Sequence, residues 1–316
     1  MGRIEIVFYT LILFGFSQIL RSQTPNELYQ LSVEQTNDGK YTDALVSIKK
    51  AILNDSINAD YYLQRATIYF NLTKYDDAVK DCYSSLKIEP DKPQVYYLRG
   101  QICLVTESYG GSILFFGKTI KFAKNNDLIC SAHLNRGKAY FALGKISEAH
   151  DEYLAASEIN PKAPEILIPL AESYFRLKNS EEALATLSKA TSLQPDNPQI
   201  YELLGRILIE NKDYTKAIEA INKFCSLKPN NAKAYNLLAQ TYYEMKEFSD
   251  AIVAVNHAIT LDPGDPLNYK IKGSVLLEKG QTDEGCNCLF KAMQMGYLEK
   301  CSYDLLDYYQ QKCEKE

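Results

Sequence analysis

The sequence is poor in the residues and motifs on which most enzymes depend. It has no tryptophan and three histidines among its 316 residues. His133, His150 and His257 are far apart, and none belongs to a His-Glu-x-x-His zinc motif. A phosphate-binding glycine loop, a dinucleotide fingerprint and a nucleophile elbow are also missing. We therefore expect no catalytic residue, cofactor, metal site or small-molecule substrate, and we interpret the three histidines as packing residues.

Charge of one sign is not concentrated anywhere in the chain. Lysine and arginine number 35 against 40 aspartates and glutamates, which gives a net charge of −5. Proteins that bind DNA or RNA carry a basic surface, so nucleic acid is not expected as a partner. Hydrophobic residues make up 46% and charged residues 24% of the chain. This composition suffices for a packed core and argues against disorder.

A long uncharged run occurs at the N-terminus, where residues 6–20 read IVFYTLILFGFSQIL. A transmembrane helix needs about 20 apolar residues, whereas this shorter run behind Arg3 is typical of a secretory signal. We predict a signal peptide at residues 1–22 and an exported protein, periplasmic or in the envelope of a bacterium. Such a protein has no integral membrane span after the signal is removed. An uncleaved anchor and a misassigned start remain as alternatives.

The rest of the chain repeats itself every 34 residues. Residues 213–231 read DYTKAIEAINKFCSLKPNN, and residues 247–265 read EFSDAIVAVNHAITLDPGD. Small residues recur in register along the whole chain, and two of these columns frame the pattern. The first column is Ser32, Ala66, Gly100, Gly137, Ala171, Gly205, Ala239 and Gly273. The second is Ala44, Ala78, Ser112, Ala149, Ala183, Ala217, Ala251 and Gly285.

Within each period, apolar residues follow helical spacing over two runs separated by turn formers such as NDGKY. Each period therefore predicts a hairpin of two helices, A and B, that must stack on its neighbours to bury both faces. The pattern resembles the tetratricopeptide repeat family. This resemblance implies an all-α, right-handed α-solenoid of antiparallel hairpins, in which the A helices line a concave groove. The eight repeats are 25–58, 59–92, 93–126, 130–163, 164–197, 198–231, 232–265 and 266–299, and residues 300–316 follow as a capping helix.

Two departures from the pattern lead to local expectations. The third repeat contains Gly110 and Gly111, has Lys124 where five other repeats carry a closing proline, and is followed by an insertion at 127–129. We expect its helix B to be long or bent, with a kink before the fourth repeat. Phe224 occupies a column of small residues, so the sixth hairpin is expected to open slightly.

The eight cysteines do not show the spacing of a disulfide framework or of a zinc knuckle. Most fall within predicted helices, where a thiol packs as a small apolar side chain. We favour buried free thiols. Disulfides Cys82–Cys103 and Cys288–Cys301 are alternatives in an exported protein, and zinc at Cys286, Cys288, Cys301 and Cys313 is the least favoured.

Function is expected on the concave face, which the resemblance assigns to positions 2, 5, 6, 9, 12 and 13 of each repeat. Positions 5 and 12 are apolar in the first five repeats except for Thr36, and the last three repeats present a mixed charged wall. The alternative for position 12 is that it packs helix A on its neighbours. The candidate partner-binding residues are Leu63, Phe70, Tyr97, Leu104, Leu134, Phe141, Ile168, Phe175, Arg206 and Tyr243.

These observations predict a non-catalytic scaffold that binds a protein or peptide partner in its groove. A chaperone or adaptor for unfolded or secreted clients is the main alternative, because an apolar floor can also bind many weak clients. An enzyme or redox protein that uses the C-terminal cysteines is a third possibility.

Overall fold

The structure is a computed structural model that describes residues 23–297 and 304–313. The predicted signal peptide at 1–22 and both ends of the predicted cap, 300–303 and 314–316, lie outside these residues. The described residues form 17 helices and no strand, so the chain is all-α. None of these helices is long and apolar enough to cross a membrane.

The N-terminal half, which ends at Ile159, consists of four helix hairpins. Its eight helices are α1 (Pro25–Asn37), α2 (Tyr41–Asn54), α3 (Ala59–Asn71), α4 (Tyr75–Ile88), α5 (Pro93–Val105), α6 (Tyr109–Phe122), α7 (Asn126–Ala142) and α8 (Ile146–Ile159). Odd-numbered helices are the A helices, and each packs on the B helix that follows it.

The C-terminal half, which begins at Asn160, contains four further hairpins and a final helix. Its nine helices are α9 (Pro164–Arg176), α10 (Ser180–Leu193), α11 (Pro198–Glu210), α12 (Tyr214–Leu227), α13 (Ala232–Glu244), α14 (Phe248–Leu261), α15 (Pro266–Glu278), α16 (Thr282–Gln294) and α17 (Asp304–Cys313). Each half is a stack of antiparallel hairpins, and the predicted α-solenoid class is confirmed.

Position 15 of every repeat turns the chain from helix A to helix B with a positive φ. Gly39, Gly144 and Gly280 occupy this position in three repeats, with φ between 72° and 78°. A left-handed backbone at this point ends helix A and lets the chain reverse. The remaining repeats place a non-glycine residue in the same conformation. These residues are Thr73, Glu107, Lys178, Lys212 and Lys246, with φ between 58° and 67°.

The small residue at position 8 lies against position 24 of the same hairpin. A Cβ added to Gly100 would lie 2.7 Å from Cε1 of Phe116, and one added to Gly137 would lie 2.6 Å from Cε1 of Tyr153. Three repeats with alanine at position 8 carry at position 24 a residue smaller than these two aromatic rings, and Gly205 and Gly273 face the aliphatic Ile221 and Leu289. The three alanine pairs are Ala66 with Cys82, Ala171 with Leu187, and Ala239 with Val255. Complementary sizes therefore set the close approach of helices A and B.

The departures from the repeat pattern are absorbed locally. Helix B of the third repeat, α6, has 14 residues, as most other B helices have, so the expected lengthening is wrong. The extra residues instead extend α7 at its N-terminus, and α7 has 17 residues whereas the other A helices have 13. Asn125 caps this extension by accepting hydrogen bonds from the backbone amides of Asp127 and Leu128. The other departure, Phe224 in a column of small residues, is fully buried.

Two of the cysteines form a disulfide that the sequence did not suggest. Cys286 on α16 is bonded to Cys313 on α17. Cys82 and Cys103 are both free, so the proposed bond between them is wrong, and the four-cysteine zinc site loses two of its ligands. Cys288 is free, and Cys301 lies outside the described residues. Burial raises the pKa of the Cys82 thiol to about 12, which keeps this thiol protonated and unreactive.

Candidate functional site

The A helices of the first three repeats enclose a cavity of about 400 Å³, which we call the helix-A groove. Its lining residues belong without exception to positions 2, 5, 6, 9, 12 and 13 of helix A. Apolar or aromatic members are Tyr29, Leu63, Phe70, Tyr97 and Leu98. Polar members are Asp60, Gln64, Thr67, Asn71, Gln94 and Gln101.

Neighbouring side chains hold the aromatic rings of the helix-A groove in place. Phe70 is half-buried and its ring centroid lies 5.9 Å from that of Tyr75, in the same hairpin. The ring of Tyr97 lies 5.5 Å from that of Phe116, and its hydroxyl accepts a hydrogen bond from Nδ2 of Asn135 at 3.0 Å. Burial raises the pKa of Tyr97, so the phenol stays neutral. These rings therefore combine a packing role with a surface that faces the groove.

Amide side chains form the other wall of the helix-A groove. The side chain of Gln64 is already hydrogen-bonded within the protein, because its Nε2 donates to Oγ1 of Thr36 at 2.9 Å. Among the described residues, Gln94 and Gln101 have no side-chain hydrogen bond to protein. An amide side chain can donate to a carbonyl and accept from an N–H at the same time, which is what a peptide main chain offers. The groove thus pairs an apolar surface with free hydrogen-bonding groups.

The A helices of repeats five to seven surround a second cavity, of about 710 Å³, in the C-terminal half. Its charges are largely paired: Arg206 Nη1 donates to Glu172 Oε2 at 2.9 Å, and Lys178 Nζ donates to Glu210 at 2.7 Å. The Arg206 guanidinium also lies 5.5 Å from the ring centroid of Phe175, which is only 7% exposed. Phe175 is therefore covered by Arg206 and does not form an open apolar floor.

The structure thus brings the candidate residues together in two groups. Leu63, Phe70 and Tyr97 line the helix-A groove, and Phe175 and Arg206 line the cavity of the C-terminal half. The other candidates are half-buried and line neither cavity. Tyr243 packs its ring 6.1 Å from that of Phe248, so position 12 serves its own hairpin here as it does at Phe70. Those remaining candidates are Leu104, Leu134, Phe141, Ile168 and Tyr243.

Gln94 and Gln101 are not among the residues that the sequence predicted, because the prediction emphasised apolar side chains. They occupy positions 2 and 9 of the third repeat, which the resemblance already assigns to the concave face. The residue types at those positions would have identified them as amides, but only the structure shows that they are unpaired among the described residues. Within the described residues, no three His, Cys, Asp or Glu side chains gather as a metal site would require.

Comparisons with known proteins agree with the geometry. A family model described as "Tetratricopeptide repeat" matches residues 140–207, and another with this description matches residues 59–92. A model described as "Anaphase-promoting complex, cyclosome, subunit 3" matches residues 188–258 and 210–292. Together these segments span more than half of the chain.

Among relatives, the small glutamine-rich tetratricopeptide repeat-containing protein of Dictyostelium discoideum is 29% identical over 132 residues. The match covers 41% of this chain and 35% of that protein, so the chain matches about a third of the relative's length.

Two solved structures share the fold. The structure of Pseudomonas aeruginosa pilF aligns with a TM-score of 0.62 at 15% identity, over 68% of this chain and 97% of that one. YrrB, described as a TPR protein with an unusual peptide-binding site, aligns with a TM-score of 0.52 at 20% identity, over 59% and 95%. The 34-residue hairpins, the family models and these neighbours lead to one conclusion: the chain is a tetratricopeptide repeat protein.

Proposed function

We propose that this protein is a non-catalytic scaffold that binds an extended peptide segment of a partner protein in the helix-A groove. The observation that carries the proposal is the pairing of half-buried Leu63, Phe70 and Tyr97 with the free amides of Gln94 and Gln101. An extended peptide presents side chains to alternate sides and leaves its main-chain groups available. Apolar side chains would lie on the aromatic surface, and the main chain would bond to the amides.

The description of YrrB as a protein with a peptide-binding site supports this proposal by analogy of fold. The charges in the cavity of the C-terminal half are largely paired, and a ligand there would have to displace ion pairs such as Arg206–Glu172. This argues against that cavity as the main anchoring site for the peptide.

We further propose that the protein works outside the cytoplasm, in the envelope of a bacterium. Two features support this location: the apolar N-terminal run at residues 6–20, which is typical of a secretory signal, and the Cys286–Cys313 disulfide. Disulfides persist mainly in oxidising compartments such as the periplasm.

The test is a crosslinking pull-down from envelope extract with residues 23–316 as bait. Gln101→Arg places a charged side chain in the helix-A groove, and Gln294→Arg makes the same change at an exposed site on the B helix α16. Circular dichroism checks that both variants fold. A partner captured by wild type and by Gln294→Arg but lost by Gln101→Arg supports the scaffold. Equal capture by all three contradicts the groove, and loss of many weak clients together favours a chaperone.

A further inference from the structure

A third cavity lies in the C-terminal half, on the side of the hairpins that the B helices form. This helix-B cleft, of about 870 Å³, lies between the B helices α10 and α12 and has α11 as its floor. Its apolar surface comes from leucines of α10 and α11 and from one alanine of α12. These residues are Leu184, Leu187, Leu204, Leu208 and Ala220.

The equivalent place in the third repeat is filled by three large side chains. There, Arg99 of α5 lies between two rings, with its guanidinium carbon 4.0 Å from the centroid of Phe115 and 4.4 Å from that of Tyr83. Its Nη2 also donates to the Tyr83 hydroxyl at 3.2 Å. Arg99 and Phe115 stand at positions 7 and 23 of the third repeat, and Tyr83 stands at position 25 of the second. The chain thus closes this space from within.

Smaller residues stand at these three positions in repeats five and six. Leu204 stands where Arg99 stands in the third repeat, Ala220 replaces Phe115, and Ser188 replaces Tyr83. The helix-B cleft is the space that these smaller side chains leave open.

In repeats two and four, the side chains at positions 7 and 23 also fill the equivalent space. They place arginine at position 7 against an acid at position 23: Arg65 Nε donates to Asp81 at 2.7 Å, and Arg136 Nη2 donates to Glu152 at 2.6 Å. An apolar surface left open in a monomer often marks a binding site.

The charge at the rim of the cleft indicates the chemistry of the occupant. Lys216 is neutralised by Asp213, with Nζ and Oδ2 2.8 Å apart. Glu219, also on the rim, is exposed and has no ion pair among the described residues. The rim therefore carries an excess of negative charge, as does the whole chain at −5. A basic residue beside an apolar anchor would complement it.

We propose that the helix-B cleft is a second docking surface, which takes an aromatic or aliphatic anchor residue of a partner protein with a lysine or arginine next to it. The anchor occupies the volume that Arg99, Phe115 and Tyr83 fill in the third repeat, and the basic residue reaches Glu219. This surface is separate from the helix-A groove, so one molecule can hold two partner segments at once.

The test places the Tyr83 and Phe115 side chains at the equivalent positions of repeats five and six, with the double variant Ser188→Tyr/Ala220→Phe. The probe is a fluorescein-labelled helical peptide with phenylalanine and leucine on one face and lysines beside them. A second peptide has glutamate in place of each lysine, and the neutral dye N-phenyl-1-naphthylamine represents a small apolar ligand. Anisotropy titrations give the affinity of each probe for the full mature chain.

The proposal predicts saturable binding of the lysine peptide, at least about tenfold weaker for the filled variant. Glu219→Lys and the glutamate peptide should each weaken binding by about threefold or more. Gln101→Arg in the helix-A groove should leave this binding unchanged. If Ala220→Phe prevents folding, the exposed change Ser188→Tyr alone should still weaken binding. Absence of saturable peptide binding, equal affinity for the filled variant, or binding of the dye alone overturns the proposal.

Discussion

The ring of Phe116 occupies the place where a side chain at Gly100 would begin. A Cβ on Gly100 would lie 2.7 Å from Cε1 and 2.8 Å from Cδ1 of this fully buried ring. Tyr97, which lines the helix-A groove, packs at a tilt against the same ring, with the two ring centroids 5.5 Å apart. The small residue that lets helices A and B approach thus also supports a candidate binding residue.

Gly100→Ala is expected to destabilise the protein, although alanine favours helix more than glycine does. Overpacking costs about 1–3 kcal/mol, whereas the gain in helix propensity is about 0.5–1 kcal/mol. Adding Phe116→Leu should recover much of the loss, because the fifth repeat already combines Ala171 with Leu187. Urea unfolding of the two single variants and the double variant measures this coupling. Strictly additive effects would show that the two positions do not share one space.

Lys246→Gly is expected to stabilise the protein by about 1 kcal/mol, because a left-handed backbone costs a non-glycine residue about 1–2 kcal/mol. The φ of Lys246 is 62°, and the side chain is exposed. The control is Lys189→Gly in the middle of α10, which should destabilise by about 1 kcal/mol. Thermal unfolding compares the two. A loss of stability in both variants would refute the role assigned to position 15.

Glu152→Gln is expected to lower stability near neutral pH and to matter less in acid. Burial by itself raises the pKa of Glu152, but the hydrogen bonds from His133 and Arg136 outweigh it and bring the pKa below its ordinary value of 4.5. A carboxylate with a lowered folded-state pKa stabilises the protein above its unfolded pKa, and this contribution is lost as pH falls through the folded value.

The difference in unfolding free energy between wild type and Glu152→Gln should therefore be largest near pH 7 and shrink below about pH 4.5. Urea titrations over this range measure it, with the exposed Glu148→Gln on the same helix as control. A difference that does not change with pH would mean that the charge of Glu152 contributes nothing.

Cys313→Ser is expected to loosen α17 without unfolding the hairpins. The disulfide joins residues 27 apart, so its loss frees the last helix while the repeats before it keep their own contacts. Leu305 of α17 remains packed in the cluster around Leu289. Hydrogen exchange should show faster exchange in 304–313, whereas Cys288→Ser should leave it unchanged. Equal protection in both variants would show that packing alone holds α17.

The sequence predicted the fold well because each repeat provides the same information again. One small residue at position 8 is weak evidence, but eight in register define the hairpins. The pairing of Gly100 with Phe116 was not predicted, because the residues at position 24 were not compared with the small residues that they face. Local physical rules, applied with a fixed period, therefore suffice for the architecture.

Features that depend on one exceptional contact were beyond the same reasoning. The Cys286–Cys313 bond depends on where α17 packs, which no repeat determines. The burial of Phe175 depends on Arg206 from the next repeat, because a long cationic side chain can cover a ring as well as leave it open. The insertion at 127–129 could extend either neighbouring helix, and because Asn125 caps the helix that follows it, the inserted residues belong to α7.

The central claim is that the helix-A groove holds a partner peptide, and site-specific photo-crosslinking in cells tests it most directly. A benzophenone amino acid replaces Gln94 in the groove in one variant and Lys80, exposed on the B helix α4, in the control. The account predicts one dominant adduct from position 94, absent from position 80, with the crosslinked residue in an extended apolar segment of the partner. No adduct from position 94, or the same adduct from both positions, would contradict it.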